Sequence, residues 1–161
     1  MPELQRLRSD HAEAVLEFEL DNRAYFAASI ADRGDDFFER FHDHHRALLD
    51  EQEAGLCAFH VLVDHDHSVV GRFNLYDLDD ETAEVGYRVA ERIAGHGVAS
   101  STLRELCALA SSEYGLRTLT AAASNENFAS QRVLEKAGFV VVGATEVGGR
   151  AATAYERTLA P

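Results

Sequence analysis

Alternating and periodic apolar positions divide the first half of the chain into short strands and two helical stretches. Alternation of apolar and polar residues, or short apolar runs between turn residues, predicts strands at 4–8, 56–63, 69–78 and 82–89. A helical period follows Ser9 and Asp10, either of which can cap a helix that passes through Phe18. A second helix is predicted over 35–53. The residues expected on its buried side are Phe38, Phe41, Leu48 and Leu49.

The second half of the chain continues with alternating helices and strands. Apolar residues recur at three- and four-residue steps from Val98 to Ala110, which predicts an amphipathic helix that ends at Gly115. A strand at 116–123 precedes a helix capped by Asn127, and Gly138 stands where that helix would end. The remaining stretches predict two closing strands, at 139–142 and 152–159. This order of elements predicts an α/β fold of the α+β type, with a mixed central sheet of about seven strands and helices on both faces.

Length and composition fit one globular domain over residues 1–161. Apolar residues make up 46% and charged residues 27% of the chain, which is typical of a folded protein. Apolar runs are shorter than the ~20 residues that span a bilayer. The charged amino terminus does not resemble a secretory signal, so we expect a cytoplasmic protein. Cys57 and Cys107 make no disulfide framework and are expected to be buried apolar residues.

The net charge of −13 is concentrated in one half of the chain. Residues 1–84 contain 21 acids and 7 bases, whereas residues 85–161 contain 7 acids and 8 bases. An acidic protein is a poor general partner for nucleic acid, and no basic cluster suits an anionic membrane surface. The acidic half is therefore expected to attract a cation, and the near-neutral half to hold an anionic ligand. The acidity is equally well explained by solubility alone.

The segment 82–101 leads from a strand through a glycine-bearing turn directly into a helix. Gly95 and Gly97 allow the backbone to approach a ligand closely, and the free amides of the first helical turn form an anion site. The segment lacks the Gly-Lys-Ser/Thr ending of a Walker loop and does not complete a dinucleotide fingerprint. By itself a turn of this kind is more often structural than functional.

A second segment, Asn127-Phe-Ala-Ser-Gln-Arg-Val-Leu-Glu-Lys-Ala-Gly-Phe139, is a capped helix followed by a glycine and a strand. Together with the first segment, at this spacing, it resembles the GNAT superfamily of acetyl-CoA-dependent N-acetyltransferases. Within that superfamily it is most similar to the RimJ/RimL-type acetyltransferases of ribosomal-protein N-termini. The resemblance covers residues 68–142 and implies the GNAT fold with a splayed central strand pair.

The resemblance implies a pyrophosphate loop at Ala94-Gly95-His96-Gly97-Val98-Ala99, where Gly97 and Ala99 match the Gln/Arg-x-x-Gly-x-Gly/Ala pattern. Ala94 replaces the family's leading Gln or Arg, and Arg92 or His96 is the expected substitute donor. Backbone amides from Gly95 to Ser100 would hold the pyrophosphate, and the strand near Val89 would pair with the pantetheine arm.

The resemblance also implies roles for Asn127 and Ser130. Asn127 would contact the pantetheine, and Ser130 would donate a proton to the departing CoA thiolate. Without the resemblance, a serine in the first turn of a helix more often bonds to the local backbone.

Glu84 is the candidate general base. Alternation along 82–89 places Ala83, Val85, Tyr87 and Val89 on one face, and Glu84, Gly86 and Arg88 on the other. Gly86 within the strand predicts a bulge or the close approach of a ligand. A carboxylate beside the splayed strands would accept the proton of an ammonium substrate before attack on the thioester. The alternative is a solvent-facing glutamate paired with Arg88 or Arg72.

Histidines cluster at two places in the acidic half. His42 and His45 share a helix face, and His65 and His67 occupy a polar turn. Asp and His are common in surface turns, so no metal site is predicted.

The sequence therefore predicts an N-acetyltransferase that uses acetyl-CoA and acts on a primary amine, by direct transfer in a ternary complex. The expected acceptor is a protein N-terminal amine. Alternatives are a small amine, such as an amino acid, a polyamine or an antibiotic, and a non-catalytic acyl-CoA sensor. A homodimer is left open.

Overall fold

The computed structural model describes residues 2–160, which form seven strands and six α-helices. The strands are β1 (Glu3–Arg6), β2 (Ala58–Val63), β3 (Val69–Tyr76), β4 (Thr82–Val89), β5 (Thr118–Ser124), β6 (Val140–Val147) and β7 (Arg150–Thr158). The helices are α1 (Ala12–Asp21), α2 (Arg23–Ala27), α3 (Asp35–Glu39), α4 (Phe41–Glu53), α5 (Val98–Ser112) and α6 (Phe128–Lys136). Short 3-10 turns lie at Ser9–His11 and Glu91–Ile93.

The strands form one mixed sheet in the order β1-β2-β3-β4-β5-β7-β6, which confirms the predicted fold class. β1 pairs with β2, and β7 with both β5 and β6, in antiparallel register. β4 and β5 pair in parallel, with Thr82–Glu84 opposite Thr118–Thr120. That paired segment ends before either strand does, because β4 continues to Val89 and β5 to Ser124.

The chain divides into two compact units. The first consists of the residues up to Asn74 together with Tyr87–Ile93, and its core contains Val15, Phe18 and all six residues of β2. The second consists of Leu75–Gly86 and the residues from Ala94 onward. Its core residues come mainly from α5, β5 and α6: Leu103, Leu106, Ala110, Leu119 and Leu134 are buried. Burial of this apolar surface is the main stabilising contribution within each unit.

The predicted helix over 35–53 was wrong in its continuity and in its buried face. Arg40 has φ −109° and ψ 25° and separates α3 from α4. Of the expected apolar face only Phe41 is fully buried, whereas the polar residues His45 and Gln52 are buried as well. Gln52 donates to the carbonyl of Leu7 (3.0 Å) and accepts from the amide of Phe59 (2.8 Å). These two hydrogen bonds link α4 to a backbone segment that precedes it in the sequence and to one that follows it. They also offset the free-energy cost of burying the side-chain amide of Gln52.

The last two strands form a hairpin that is longer than predicted. β6 continues to Val147 because Gly148 and Gly149, with φ +58° and +78°, supply the left-handed pair that a tight hairpin turn requires. β6 lies at the end of the strand order, and its eight residues are exposed.

His60, buried in β2, makes the stability of the protein sensitive to acid. Burial lowers the pKa of His60 from 6.5 to about 4, although its Nδ1 lies 3.2 Å from the carbonyl of Phe73. The pKa of His60 is lower in the folded than in the unfolded state, so protonation favours unfolding. The free energy of unfolding is therefore at its full value above pH 6.5 and falls as the pH decreases toward 4. We expect a loss of about 3 kcal/mol in the free energy of unfolding across this window. Urea titrations at pH 7, 5.5 and 4 measure it.

The matched controls for this prediction are His60→Leu and His44→Gln. The first removes the titrating group and should remove this part of the pH dependence, while His11, whose pKa burial also lowers, keeps its own contribution. The second changes an exposed histidine of α4 and should leave the dependence unchanged. A wild-type free energy of unfolding that is constant from pH 6.5 to 4 would contradict the prediction.

Candidate active site

The turn before α5 has the geometry of an anion-binding helix N-terminus. Gly95 and Gly97 have φ +79° and +78°, a conformation that side chains rarely adopt. An added Cβ at either glycine would meet nothing within 4 Å, and both residues are exposed. The predicted turn is therefore confirmed as an open glycine turn that leads into a 15-residue helix.

The first amides of α5 precede its first helical hydrogen bond. Helical hydrogen bonding begins with the Ser101 amide, which donates to the carbonyl of Gly97 (3.1 Å). The amides of Val98, Ala99 and Ser100 precede that bond, in the turn where helix N–H groups have no carbonyl partner within the helix. The Ser100 hydroxyl donates to the same Gly97 carbonyl (3.2 Å) and closes the turn. Three N–H groups at the positive end of a long helix suit a phosphate or pyrophosphate.

Asn127 caps α6, as predicted. Its Oδ1 accepts the backbone N–H of Ser130 at 3.1 Å. The cap leaves the side-chain NH₂ of Asn127 as the group that could donate to a ligand. Ser130 is half-buried in the first turn of α6. The hydrogen bond from its backbone N–H to Asn127 fixes the backbone from which its hydroxyl projects.

Glu84 projects from β4 on the exposed face of the strand. Its neighbours Ala83 and Val85 are buried as predicted, whereas Gly86 to Val89 are all half-buried, so the predicted alternation holds only in the first half of the strand. Glu84 pairs with Thr120 as the last pair of the parallel β4–β5 segment. The carboxylate therefore stands where backbone pairing between these strands ends, with its side chain open to solvent.

Gly86, two residues after Glu84, lies under the ring of Tyr76. A Cβ at Gly86 would meet the Tyr76 Cε2 atom at 2.7 Å, closer than van der Waals contact allows. The neighbour that requires a glycine here is therefore an aromatic ring on β3. The sequence predicted a bulge or the close approach of a ligand at Gly86, whereas the group that approaches it in the structure is the Tyr76 ring, which only the neighbouring position of β3 and β4 brings there.

Two of the predicted cofactor residues lie in the first unit. Val89 is half-buried at the end of β4. The Arg92 guanidinium donates to Asp64 (3.3 Å) and to the hydroxyl of Ser68 (3.0 Å) at the β2–β3 turn. Arg92 also lines a cleft of about 220 Å³ beside α1, together with the carboxylate residues Glu17, Asp21 and Glu91. The structure thus gives Arg92 two protein partners, and a role as the substitute donor for the missing Gln or Arg stays a prediction.

The sequence reasoning missed a buried charge cluster around Glu19 in the first unit. The Glu19 carboxylate accepts from Arg72 (2.7 Å), from Arg88 (3.1 Å) and from both Nε and an NH₂ group of Arg33 (3.3 and 3.1 Å). Burial acts to raise the pKa of Glu19, but the guanidiniums of Arg72, Arg33 and Arg88 outweigh it, so the pKa lies below its usual value. A glutamate on the apolar side of α1, beside Phe18, was the available sequence signal.

Cys107 is buried as predicted, whereas Cys57 is only half-buried, so the prediction for Cys57 was wrong. Burial raises the pKa of Cys107, and the Cys107 side chain is 2% exposed, so its thiol is protonated and shielded. Over residues 2–160, no group of three or more His, Cys, Asp or Glu side chains has the arrangement of a metal site. Over the same residues, every helix is too short or too polar to cross a membrane.

Comparison with known proteins agrees with this geometry. A family model described as "Acetyltransferase (GNAT) domain" matches residues 3–140. YdaF of Bacillus subtilis (strain 168), named as a candidate ribosomal N-acetyltransferase, is 32% identical over 104 residues, which are 63% of this chain and 53% of YdaF. The matched part thus spans about half the length of that relative.

Two solved structures show the same fold. The ribosomal-protein-S5-alanine acetyltransferase from Vibrio fischeri superimposes with a TM-score of 0.90 at 19% identity, over 98% of this chain and 93% of that one. RimJ from Mycobacterium smegmatis, solved with a CoA disulfide, has a TM-score of 0.85 at 23% identity, over 96% and 80% of the two chains.

Proposed function

This chain belongs to the acetyltransferase (GNAT) domain family, and from that premise we propose that it transfers the acetyl group of acetyl-CoA to a primary amine. The preferred acceptor in this proposal is a protein N-terminal amine. The observation that supports it most directly lies in the second unit, which contains three features the reaction needs. They are the open N-terminus of α5, the exposed carboxylate of Glu84 and the capped Ser130.

The residues of the α5 turn fit the diphosphate of acetyl-CoA. The amides of Val98, Ala99 and Ser100 and the helix dipole would bind its negative charge, and the bare faces of Gly95 and Gly97 leave room for it. Ala94 contributes no polar side chain to this turn. His96 is exposed within the turn and supplies a ring N–H in place of the missing Gln or Arg. Asn127 would donate its side-chain NH₂ to a pantetheine carbonyl, and the backbone near Val89 stays the predicted partner of the pantetheine arm.

Transfer proceeds in this proposal by direct attack. Glu84 accepts a proton from the acceptor ammonium, directly or through water, which frees the nitrogen lone pair. The amine nitrogen then bonds to the thioester carbonyl carbon and loses its second proton to water, and the C–S bond breaks. The Ser130 hydroxyl donates its proton to the departing thiolate and recovers one from solvent. The products are an acetylated amine and CoA, with no covalent enzyme intermediate.

The preference for a protein acceptor is supported by the name of YdaF and by the fold shared with the ribosomal-protein-S5-alanine acetyltransferase from Vibrio fischeri. A small amine is the second candidate, because the chemistry of Glu84 and Ser130 would be the same for either acceptor. Assays of thiol release with ribosomal-protein N-terminal peptides and with polyamines or amino acids separate the two classes. Tight cofactor binding with no turnover on any amine would favour the acyl-CoA sensor.

Calorimetric titration of acetyl-CoA tests the site itself, with Ala99→Glu and Ala108→Glu as a matched pair in α5. A glutamate at 99 lies in the first turn, where the helix dipole favours it, but it places a negative charge against the diphosphate. A glutamate at the exposed position 108 lies far along the same helix. We expect the first variant to weaken binding on the order of tenfold or more, and the second to leave it unchanged. Equal affinities for both variants, or no wild-type binding at millimolar acetyl-CoA, would overturn the proposed site.

A further inference from the structure

Strand β6, in the second unit, leaves one edge of the sheet open. It lies at the end of the strand order, and β7 is its neighbour among the described residues. Proteins commonly protect such an edge with a very short strand, a proline, a lysine or a covering helix. β6 is eight residues long, contains neither proline nor lysine, and is exposed along its whole length. A bulge at Val142 interrupts its register with β7, but the strand continues regularly from Gly143 to Val147.

The backbone of β6 presents hydrogen-bonding groups at this open edge. Residues 148–149 form a two-residue turn, and such a turn is closed by a hydrogen-bonded pair, here Val147 and Arg150. Alternate residues of an antiparallel strand direct their N–H and C=O groups to opposite sides. Ala144 and Glu146 therefore direct theirs away from β7, where a further antiparallel strand would pair with them.

The side chains of β6 are mostly apolar. Val140, Val141, Val142 and Val147 are 63%, 59%, 56% and 42% exposed. Successive side chains of a strand point to opposite faces, so exposure of all eight residues means that no described element covers either face of β6. A cluster of exposed apolar side chains on an open strand edge is typical of a surface that associates with another chain.

The charge of this hairpin favours a second copy of the chain as the partner. The net charge of the whole chain is −13, which in general opposes self-association. The β6–β7 hairpin instead contains two acids, Glu146 and Glu156, and two bases, Arg150 and Arg157, so its formal charges cancel. Two copies can therefore approach each other through β6 without the repulsion that the acidic half of the sequence produces.

We propose that the β6 strands of two copies pair in antiparallel register and join the sheets of both copies at this edge. A two-fold axis relates the strands, so a residue at the axis lies opposite itself. The register centred on Ala144 uses the outward N–H and C=O groups of that residue, and its small side chain allows close approach. Val141 then lies opposite Val147 of the second copy and Glu146 opposite Val142, so like charges do not face each other. This assembly is independent of the proposed acetyl transfer.

Sedimentation of the full chain over a range of concentrations tests the proposal. A single pair of strands is at the small end of protein interfaces, so we expect a dimer with a Kd on the order of micromolar. The informative variants are Ala144→Lys and Ala144→Glu. The control is Ala108→Lys, the same substitution at an exposed position of α5. Urea unfolding of each variant separates a loss of pairing from a loss of folding.

We expect Ala144→Lys and Ala144→Glu each to weaken the dimer on the order of tenfold or more, because two like charges meet at the axis. Ala108→Lys should leave the Kd unchanged. An equimolar mixture of the Lys and Glu variants at position 144 should restore the dimer, because opposite charges then face each other. A wild-type chain that stays monomeric, an equal effect at positions 108 and 144, or a mixture that stays monomeric would overturn the proposal.

Hydrogen exchange of the wild-type protein gives a second measurement that needs no variant. The amides of Ala144 and Glu146 should exchange more slowly as the protein concentration rises, because pairing withdraws them from water. The amides in the middle of α5 should exchange at the same rate at every concentration. A dimer in which the exchange of the β6 amides does not change would contradict pairing through this strand.

Discussion

Replacement of Glu84 by glutamine is expected to lower kcat by about 100- to 10,000-fold at neutral pH, the range that a general base contributes. The amide retains the size of the side chain but cannot accept a proton from an ammonium group. Because Glu84 is exposed and lies at the last β4–β5 pair, the fold should tolerate the change. Thiol release at saturating acetyl-CoA and acceptor measures kcat.

The pH dependence separates a base from a group that only binds the acceptor. An N-terminal amine has a pKa of about 8, so a growing fraction of acceptor is already deprotonated as the pH rises. The deficit of Glu84→Gln should therefore shrink from pH 7 to 9. Glu105→Gln, the same change at an exposed position of α5, is the control. A kcat for Glu84→Gln equal to that of the control would exclude Glu84 as the base.

Replacement of Glu19 by glutamine is expected to lower the free energy of unfolding by about 3–5 kcal/mol, the usual cost of removing one partner from a buried ion pair. The variant leaves the guanidiniums of Arg72, Arg33 and Arg88 around a neutral amide with one oxygen. Arg72, which is nearly as buried as Glu19, would contribute most of the loss because its charge would lack its closest partner. Urea unfolding at pH 7 measures the change.

The control for this variant is Glu17→Gln, on the same helix. Glu17 is exposed, so the same loss of charge should change the free energy of unfolding by less than about 1 kcal/mol. If Glu19→Gln unfolds too readily to be measured, the milder Glu19→Asp, which retains the charge and shortens the reach, should give an intermediate value. Equal stabilities of Glu17→Gln and Glu19→Gln would show that the cluster is not an anchor of the fold.

Local pattern predicted the elements whose period is set by their own residues. β4 was predicted with its observed bounds, Thr82–Val89, from the alternation of its apolar and polar residues, although buried and exposed positions alternate only as far as Val85. α5 was predicted from its apolar stripe, and α6 from a cap and a terminating glycine. In each of these elements, the residues that determine the secondary structure are close to one another in the sequence.

Pattern failed where polar residues are buried. The inward face of α4 includes Gln52, whose side-chain amide bonds to the backbone at Leu7 and Phe59. A glutamine in a helix predicts an exposed position, because burial without partners costs free energy. Its partners come from distant parts of the chain, so the pattern could not reveal them.

The sequence by itself determined the order of the seven strands and of α5 and α6, the glycine turn before α5, the cap at Asn127 and the face of β4 that carries Glu84. These features depend on backbone conformation and on side chains within a few residues of one another, so local preferences are sufficient. Only the tertiary structure decided that Tyr76 covers Gly86, and that one carboxylate of α1 gathers three arginines from a loop and two strands. Such contacts join residues up to 69 positions apart, and their free energy appears only when the packed fold brings the groups together and removes water from them.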